Sequence, residues 1–321
     1  MKTTASIACP ICASTLIGSG RSYAIEELFA MWQPVRFTPA TLDEHKLQGG
    51  HTRLYVCPGC ELGIFYPQII ATPAFYGALQ EGTSNSYYAG EKWDFREALR
   101  DAKNTAAIIE IGCGPGVFLD QARRHAAQAV GIETNPQALA AARGKGLRVC
   151  DRADGLAEFK GRFDIAFCFH VLEHVPDPVG FIREMLAWVG PQGKIGISVP
   201  NMDGPIRHVV PCVSNMPPHH ASRWKLKTFE ALAARLELVI ERVAFEPLIA
   251  RDHYYYSSYW VMNSLPARLL PRQWLPVLQR ATAGFFASLF KLLAKFNKKE
   301  FALLKGQSMY VLLARREGKK T

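Results

Sequence analysis

The sequence predicts an α/β protein built on a mostly parallel sheet, preceded by a small metal-binding module. Between Ala106 and Phe245, short apolar runs alternate with segments of helical period, which is typical of a parallel sheet with helices on both faces. Four cysteines form two Cys-x-x-Cys pairs within the first 60 residues, and these predict the module. A hydrophobic fraction of 49% over 321 residues is enough for a sizeable core.

The first region, residues 1–72, contains both cysteine pairs. Thr52–Val56 is strand-like and leads into the second pair, and Leu62–Pro67 follows as the other strand of a hairpin. Two such pairs supply the four thiolates of a tetrahedral structural zinc site, as in a zinc ribbon. About 44 residues separate the pairs, which exceeds the usual ~15–20 and requires an insertion, and a redox dithiol is the alternative. The expected zinc ligands are Cys9, Cys12, Cys57 and Cys60.

The elements that follow are predicted in chain order. Residues 73–104 are rich in aromatic side chains and form a partly helical linker. The sheet domain, residues 105–247, has strands at 106–111, 129–133, 147–150, 163–168, 194–199 and 239–245, and helices over 117–127, 136–143, 177–189 and 228–236. Thr228 is expected to cap the last of these helices. Residues 248–305 form a helical insertion, and residues 306–321 form a final strand with a basic tail.

The strongest functional signal is the loop after the first strand of this domain, Glu110-Ile-Gly-Cys-Gly-Pro-Gly116. Its glycines let the backbone turn sharply and approach a ligand closely, but nicotinamide-binding enzymes share this pattern. Glu110 separates the two cases, because a carboxylate at this point suits a cationic amino-acid ligand and repels a pyrophosphate. Glu133 ends the next strand, about 20 residues on, where a carboxylate can accept hydrogen bonds from ribose hydroxyls.

Together with Phe163-Asp-Ile-Ala-Phe167 and Leu172-Glu-His-Val-Pro-Asp-Pro178, these residues resemble the class I S-adenosylmethionine-dependent methyltransferases. The similarity is greatest to the ubiquinone-biosynthesis type and covers residues 106–246 and the final strand. It implies a Rossmann-like seven-stranded sheet with its last strand antiparallel, and S-adenosyl-L-methionine as cofactor. Asp151 is expected at the adenine, with Asp154 as a competitor. The implied cofactor-binding residues are Glu110, Gly112, Gly114, Gly116, Glu133, Asp151 and His170.

Two histidine-containing segments lie beyond the fourth and fifth strands of the domain. His170, Glu173 and His174 are spaced to share one face of a helical turn, where they either line the pocket or bind a metal. Pro217-Pro-His-His-Ala-Ser-Arg-Trp224 is similar to a segment of methyltransferases from glycan and polyketide-sugar pathways. A histidine here can act as general base, and the alternative is a solvated surface loop. The candidate catalytic residues are His174, His219 and His220.

Charge and hydropathy limit the partners and the location. The net charge of +10 lies largely beyond residue 290 and favours an anionic partner, or is simply a solvated basic face. We expect a small-molecule methyl acceptor. One alternative is an RNA acceptor, although the cysteine region is not strongly basic; another is a non-catalytic protein that docks on membranes through residues 281–299. With no membrane span and no secretory signal in the sequence, we expect the cytoplasm, with peripheral membrane contact. The sequence does not predict the oligomeric state.

Overall fold

A computed structural model of the chain describes residues 6–82, 92–103, 105–151, 159–208, 212–249 and 304–316, and the positions 252–253, 256, 284–285, 288–289 and 292. The chain divides into two compact units, one made of Met1–Val199, Val213–Ala244 and Tyr310–Thr321, the other of Pro200–Cys212 and Phe245–Met309. Asp154 and most of the predicted insertion 248–305 lie outside the described residues. Within the described residues, no helix has the length and apolar character needed to cross a membrane.

The described residues form two β-sheets. Their strands, in chain order, are β1 Ile17–Ala24, β2 His51–Val56, β3 Gly63–Tyr66, β4 Ala107–Ile111, β5 Gln128–Ile132, β6 Arg148–Cys150, β7 Phe163–Phe169, β8 Val189–Pro200, β9 Ser222–Arg223, β10 Leu238–Phe245 and β11 Ser308–Arg315. The α-helices span Ile25–Ala30, Pro39–Lys46, Pro73–Gly82, Trp93–Asp101, Val117–Ala122, Pro136–Gly144, Pro178–Trp188 and Leu226–Arg235.

The larger sheet has seven strands in the order β10-β11-β8-β7-β4-β5-β6. Its central pairs, β4 with β5 and β7, β5 with β6, and β7 with β8, are parallel. The main-chain bonds from Glu246 to Ser308 and from Arg316 to Glu237 show that β10 and β11 are antiparallel. The predicted α/β fold, with a mixed seven-stranded sheet and an antiparallel last strand, is therefore confirmed.

Local capping explains where several helices begin. Thr38, Asn135 and Asp177 each accept a hydrogen bond from a main-chain N–H of the first turn, and each precedes a proline at the first helical position. This combination satisfies an otherwise unpaired donor and presets the helical φ angle. The helix predicted over 136–143 is confirmed and spans Pro136–Gly144.

The smaller sheet has the order β1-β2-β3-β9 and is antiparallel throughout. Its fourth strand, β9, lies more than 150 residues beyond β3 in the sequence, yet Gly63 pairs with Arg223 and Ile64 with Ser222. A core that includes Phe29, Phe65 and Phe75 packs beside this sheet and also contains Met216. The segment before β9 is therefore held by the N-terminal module.

Several local predictions differ from the structure. The helix predicted over 117–127 ends at Ala122, because the next hydrogen bonds shift to the tighter i−3 pattern at Arg124 and His125. The strand predicted from Lys194 begins at Val189. The predicted cap at Thr228 is wrong: the helix begins two residues earlier, and the Thr228 hydroxyl donates to the Cys60 carbonyl oxygen at 2.9 Å.

The second unit is described only in part. A 3₁₀ turn spans Pro205–His208, and the His208 ring packs edge-on against Tyr256 with the ring centroids 5.5 Å apart. The Tyr256 hydroxyl donates to the Lys305 carbonyl oxygen, and Gln307 donates to Asp252. These bonds connect the described parts of this unit to the chain that enters β11.

Candidate functional site

The glycine loop lies between β4 and the helix Val117–Ala122, at the carboxyl edge of the parallel strands. Gly112, Gly114 and Gly116 all have positive φ angles, from 53° to 77°, a region that only glycine enters freely. Space is also limiting, because a Cβ on Gly112 would lie 2.6 Å from Val171 and one on Gly116 would lie 2.2 Å from Leu147. The glycines are therefore required by the backbone conformation of the loop itself.

Two carboxylates lie against this loop, and their surroundings differ. The Glu133 carboxylate accepts hydrogen bonds from the N–H groups of Gly114, Thr134 and Asn135 at 2.7–2.8 Å. Glu110 is 2% exposed, and its Oε2 atom has no hydrogen-bond partner among the described residues. Burial raises the pKa of Glu110 well above its ordinary value; Lys92 opposes this shift and the charge of Glu133 adds to it. An unpaired buried carboxyl group of this kind favours a cationic ligand.

His170 follows β7 and has a φ angle of 54°, unusual for a residue with a Cβ. Its ring lies between two buried carboxylates, with Nε2 at 3.2 Å from Asp94 and Nδ1 at 3.3 Å from Glu173. Burial acts to lower the pKa of His170, but both carboxylates outweigh it and raise the pKa to about 9. Burial likewise acts to raise the pKa of Asp94, and the partnership with His170 lowers it instead. His170 is therefore a cation at neutral pH.

The other three candidate histidines, His174, His219 and His220, form one cluster. Their ring centroids are 4.4–4.8 Å apart, and the His219 and His220 rings are stacked. Burial lowers the pKa of all three, that of His219 to about 3. These histidines are therefore neutral at pH 7, unlike His170.

A cavity of about 460 Å³ joins these groups, a volume within the usual range for small-molecule sites. Glu110, Gly112, Gly114 and Glu133 line one part of it, and the three clustered histidines line another, with His170 and Glu173 also at the wall. Gly116 shapes the loop from outside the lining. Asp151 is exposed at the end of β6 and does not line the cavity. The adenine contact expected at Asp151 stays a prediction.

Sequence reasoning missed three contributors from the segment interpreted as a linker. Asp94 pairs with His170, Lys92 lines the cavity, and the Tyr76 hydroxyl lies 3.1 Å from His174 Nδ1. Asp94 left a usable signal, because it is an acid within an aromatic stretch that precedes an apolar helical face. No local pattern marks Tyr76, whose place at the site depends on the packing of the N-terminal module.

The four predicted zinc ligands come together. Cys9 Sγ lies 3.5 Å from Cys60 Sγ, Cys12 Sγ lies 3.3 Å from Cys57 Sγ, and all four sulfur atoms lie within 4.8 Å of one another. A tetrahedral zinc ion with Zn–S bonds of about 2.3 Å places its sulfurs about 3.8 Å apart, so the cluster has the right size.

The two cysteine pairs have the same backbone turn. In each turn the first cysteine's N–H donates to the carbonyl five residues on, and the residue after the second cysteine donates back to the first. Those following residues, Ala13 and Glu61, both have positive φ angles. The contact between Cys9 and Cys60 lowers the pKa of Cys9 and raises that of Cys60, so one thiolate forms readily. The residues present fit a structural zinc ion.

The cysteine cluster packs directly on the helix Leu226–Arg235. Besides the bond from Thr228 to Cys60, Glu61 forms ion pairs of 2.9 Å with Lys225 and with Lys227. Arg235 donates to the carbonyl oxygens of Pro10 and Ile11. The module is therefore attached to the rest of the chain at two places, at β9 through the shared sheet and at the helix Leu226–Arg235 that follows β9.

A family model described as "Methyltransferase domain" matches residues 86–243. Ubiquinone biosynthesis O-methyltransferase from Xanthomonas oryzae pv. oryzae (strain PXO99A) is 36% identical over 104 residues, which is 30% of this chain and 44% of the relative. The protein of the same name from Xanthomonas campestris pv. campestris (strain B100) is 34% identical over 112 residues, 32% of this chain and 47% of the relative. The chain thus spans less than half the length of these curated relatives.

Solved structures are similar at low identity. A SAM-dependent methyltransferase from Archaeoglobus fulgidus is 16% identical with a TM-score of 0.48, covering 75% of this chain and 99% of that one. The family match falls on the glycine loop, both cavity carboxylates and the histidine cluster. Residues 86–243 therefore match a methyltransferase domain, and the resemblance to S-adenosylmethionine-dependent methyltransferases that the sequence predicts is confirmed.

Proposed function

We propose that this chain transfers a methyl group from S-adenosylmethionine to a small molecule bound beside His174, His219 and His220. The observation that carries the proposal is that one cavity has the glycine loop and two carboxylates at one part and three neutral histidines at another. The curated relatives are named as O-methyltransferases, which supports an oxygen acceptor here.

The donor part of the cavity offers partners for the ammonium group and the ribose of the cofactor. Glu110 would face the ammonium group of the methionine moiety, because its buried Oε2 lacks a partner among the described residues. Glu133 accepts three main-chain N–H groups, so one lone pair of its carboxylate remains for a ribose hydroxyl. When bound, the cofactor supplies an electrophilic methyl group on a sulfonium centre. The positive φ angles of the loop let the backbone approach it closely.

The acceptor part would bind and deprotonate the substrate. Its histidines are buried and neutral, so they can hydrogen-bond an acceptor hydroxyl and take up a proton as transfer proceeds. Placing the acceptor and donor in one cavity supplies the proximity that such transfers depend on. A cavity of about 460 Å³ suits a small molecule better than a folded RNA.

The cysteine cluster supports a structural zinc ion with no catalytic step of its own. Four thiolates fill a tetrahedral shell, so no position remains for substrate. Its contribution would be to hold β9 and the helix Leu226–Arg235, between which lie only two residues. His219 and His220 immediately precede this anchored segment.

Peripheral membrane contact through residues 281–299 stays a second proposal. Among the described residues of this segment, three large apolar side chains are exposed, namely Phe285 at 67%, Leu289 at 37% and Leu292 at 49%. Their spacing is that of one helical face, and Lys291, Lys295, Lys298 and Lys299 flank them in the sequence. Exposed apolar residues among lysines suit a surface of anionic lipid.

Calorimetry with S-adenosylhomocysteine tests the donor site. We expect the wild-type chain to bind it and Glu133→Ala to bind it at least tenfold more weakly, since a hydrogen bond to a charged group contributes about 1.5–3 kcal/mol. Glu230→Gln is the matched control, because it also removes one carboxylate, but from an exposed residue of the helix Leu226–Arg235 that does not line the cavity. Equal binding by the wild type and Glu133→Ala would refute the site assignment.

A salt-titrated gel shift with RNA tests the acceptor class. Binding that weakens steeply with ionic strength would indicate phosphate contacts and argue against a small-molecule acceptor. We expect no shift at low salt. Methyl transfer to phenol or sugar-hydroxyl compounds, followed by mass spectrometry of the product, then identifies the acceptor.

A further inference from the structure

We propose that His174, His219 and His220 bind a divalent transition-metal ion, separate from the cysteine-bound zinc, with an open coordination position facing the cavity. One ring nitrogen from each of the three histidines lies within 4.8 Å of the other two. Zinc–nitrogen bonds are about 2.0–2.1 Å, so three nitrogens around one ion lie about 3.4 Å apart. Small movements of the imidazole rings would close that difference.

The outer hydrogen bonds of these rings point to the same conclusion. Nδ1 of His174 contacts the His219 carbonyl oxygen, Nδ1 of His219 lies 2.8 Å from the Ser214 carbonyl oxygen, and Nδ1 of His220 lies 3.1 Å from Asn215 Oδ1. All three oxygens only accept hydrogen bonds, so each Nδ1 carries the hydrogen and each Nε2 carries the lone pair. Metal-binding histidines are typically oriented by this kind of partner on their second nitrogen.

Charge and position favour a cation at this point. Glu173 is buried, and its carboxylate lies 3.8 Å from His220 Nε2. Imidazole nitrogen is a ligand preferred by zinc, cobalt, nickel and iron rather than by magnesium. Three imidazoles leave one position of a tetrahedral ion open, and all three rings line the cavity. An acceptor oxygen in that position would be held beside the methyl donor, and the ion, in place of a histidine base, would lower the pKa of the acceptor hydroxyl.

The ion-binding proposal does not depend on the proposed function, although the use of the open position does. Among the described residues, the cysteine cluster and the histidine cluster are the two groups with metal-ligand spacing. They differ in donor atom, sulfur in one and nitrogen in the other. This difference makes the two ions distinguishable in the full-length chain, without cofactor or substrate.

Metal content of the purified chain after saturation with Zn²⁺ and dialysis gives the first test. We expect two zinc ions in the wild type and one in His219→Gln and in His220→Gln. His125→Gln is the control, because His125 is exposed and lies outside the cluster; it should retain two. A mercurial thiol reagent should release one of the two wild-type ions. One ion per wild-type chain, or two in both cluster variants, would overturn the proposal.

Cobalt spectra of the wild type provide a second test that needs no variant. The first equivalent of Co²⁺ should give thiolate-to-cobalt charge-transfer absorption, and the second should add ligand-field bands without further charge transfer. A titration that ends after one equivalent, with a purely thiolate spectrum, would overturn the proposal. If two ions bind and S-adenosylhomocysteine does not, the metal site stands and the methyltransferase proposal fails.

Discussion

Replacing Glu110 with glutamine isolates the charge of the acid in the cavity, because the two side chains have nearly the same shape. Glu110 is 2% exposed, and its Oε2 has no hydrogen-bond partner among the described residues. Burial disfavours the charged form of this acid, and a neutral amide carries no such ionisation cost. We therefore expect Glu110→Gln to stabilise the ligand-free protein at neutral pH while it weakens cofactor binding.

The sign of this effect depends on pH. Burial raises the pKa of Glu110 in the folded state above its ordinary value of 4.5, so the folded state favours the neutral acid. Below pH ~4.5 both states are protonated and the acid carries no ionisation penalty. As the pH rises from there to the raised pKa, the unfolded chain ionises first and stability falls. The stabilisation by Glu110→Gln should therefore grow over this pH interval.

Cofactor binding should change in the opposite direction. A hydrogen bond between two charged groups contributes about 1.5–3 kcal/mol, so the variant should bind S-adenosylhomocysteine about 10- to 150-fold more weakly. Wild-type affinity should also increase as the pH rises above 4.5 toward the raised pKa of Glu110, because the ammonium ligand needs the ionised acid, and the variant should lack this increase. Calorimetry and thermal melts, with Glu230→Gln as control, measure both effects. Equal affinity, or a lower melting temperature at pH 7, would refute the reasoning.

Three further predictions concern other parts of the chain. Asp94 and Glu173 raise the pKa of His170 to about 9. The stability that these ion pairs contribute is therefore complete below pH ~6.5 and is lost as the pH rises through 9. His170→Asn should lose that pH dependence in thermal melts, and an unchanged profile would contradict the ion pairs. Thr228→Val, which removes the buried donor to Cys60, should cost about 1–3 kcal/mol in chemical denaturation. Lys227→Met, which removes an exposed ion pair, should cost less than about 1 kcal/mol, and the reverse order would be inconsistent with the packing. Wild-type chain should float with anionic liposomes and not with neutral ones, whereas Phe285→Ser with Leu289→Ser should reduce flotation; equal flotation would exclude this face as the contact.

The seven-stranded sheet was predictable because its signals are local. Buried parallel strands are nearly continuous apolar runs, and β4 and β7 keep that pattern except at Glu110 and Asp164. The antiparallel direction of β11 followed from the family resemblance. By contrast, β1 contains Gly18, Gly20 and two serines and resembles a loop. Its strand conformation depends on pairing with β2, which the local sequence does not contain.

Some residues of the candidate site were likewise predictable from local sequence, and others were not. The glycine loop and Glu133 were predictable from the sequence, because the loop follows one strand of the domain and Glu133 ends the next strand at the expected spacing. His170 was expected at the cofactor, and the structure places it against Asp94 and Glu173 at the cavity wall. Asp94 and Tyr76 come from a segment whose composition indicates only a linker. The position of Tyr76 depends on how the N-terminal residues pack, and no periodicity within a single element records that packing. Asp94, an acid within an aromatic stretch, did leave a usable signal.

The position of β9 gives the N-terminal module a direct influence on the acceptor site. The main chain of Ala221 accepts a hydrogen bond from Phe65 of β3 and donates one to Glu173. Thus a single residue after His220 is bonded on one side to the module and on the other to the segment that follows β7. The Trp32 ring of the module and the Tyr76 ring of the helix Pro73–Gly82 also contact His219. Because these bonds hold both histidines in place, we expect that loss of the zinc ion proposed for the cysteine cluster would disturb the acceptor site before it disturbed the glycine loop.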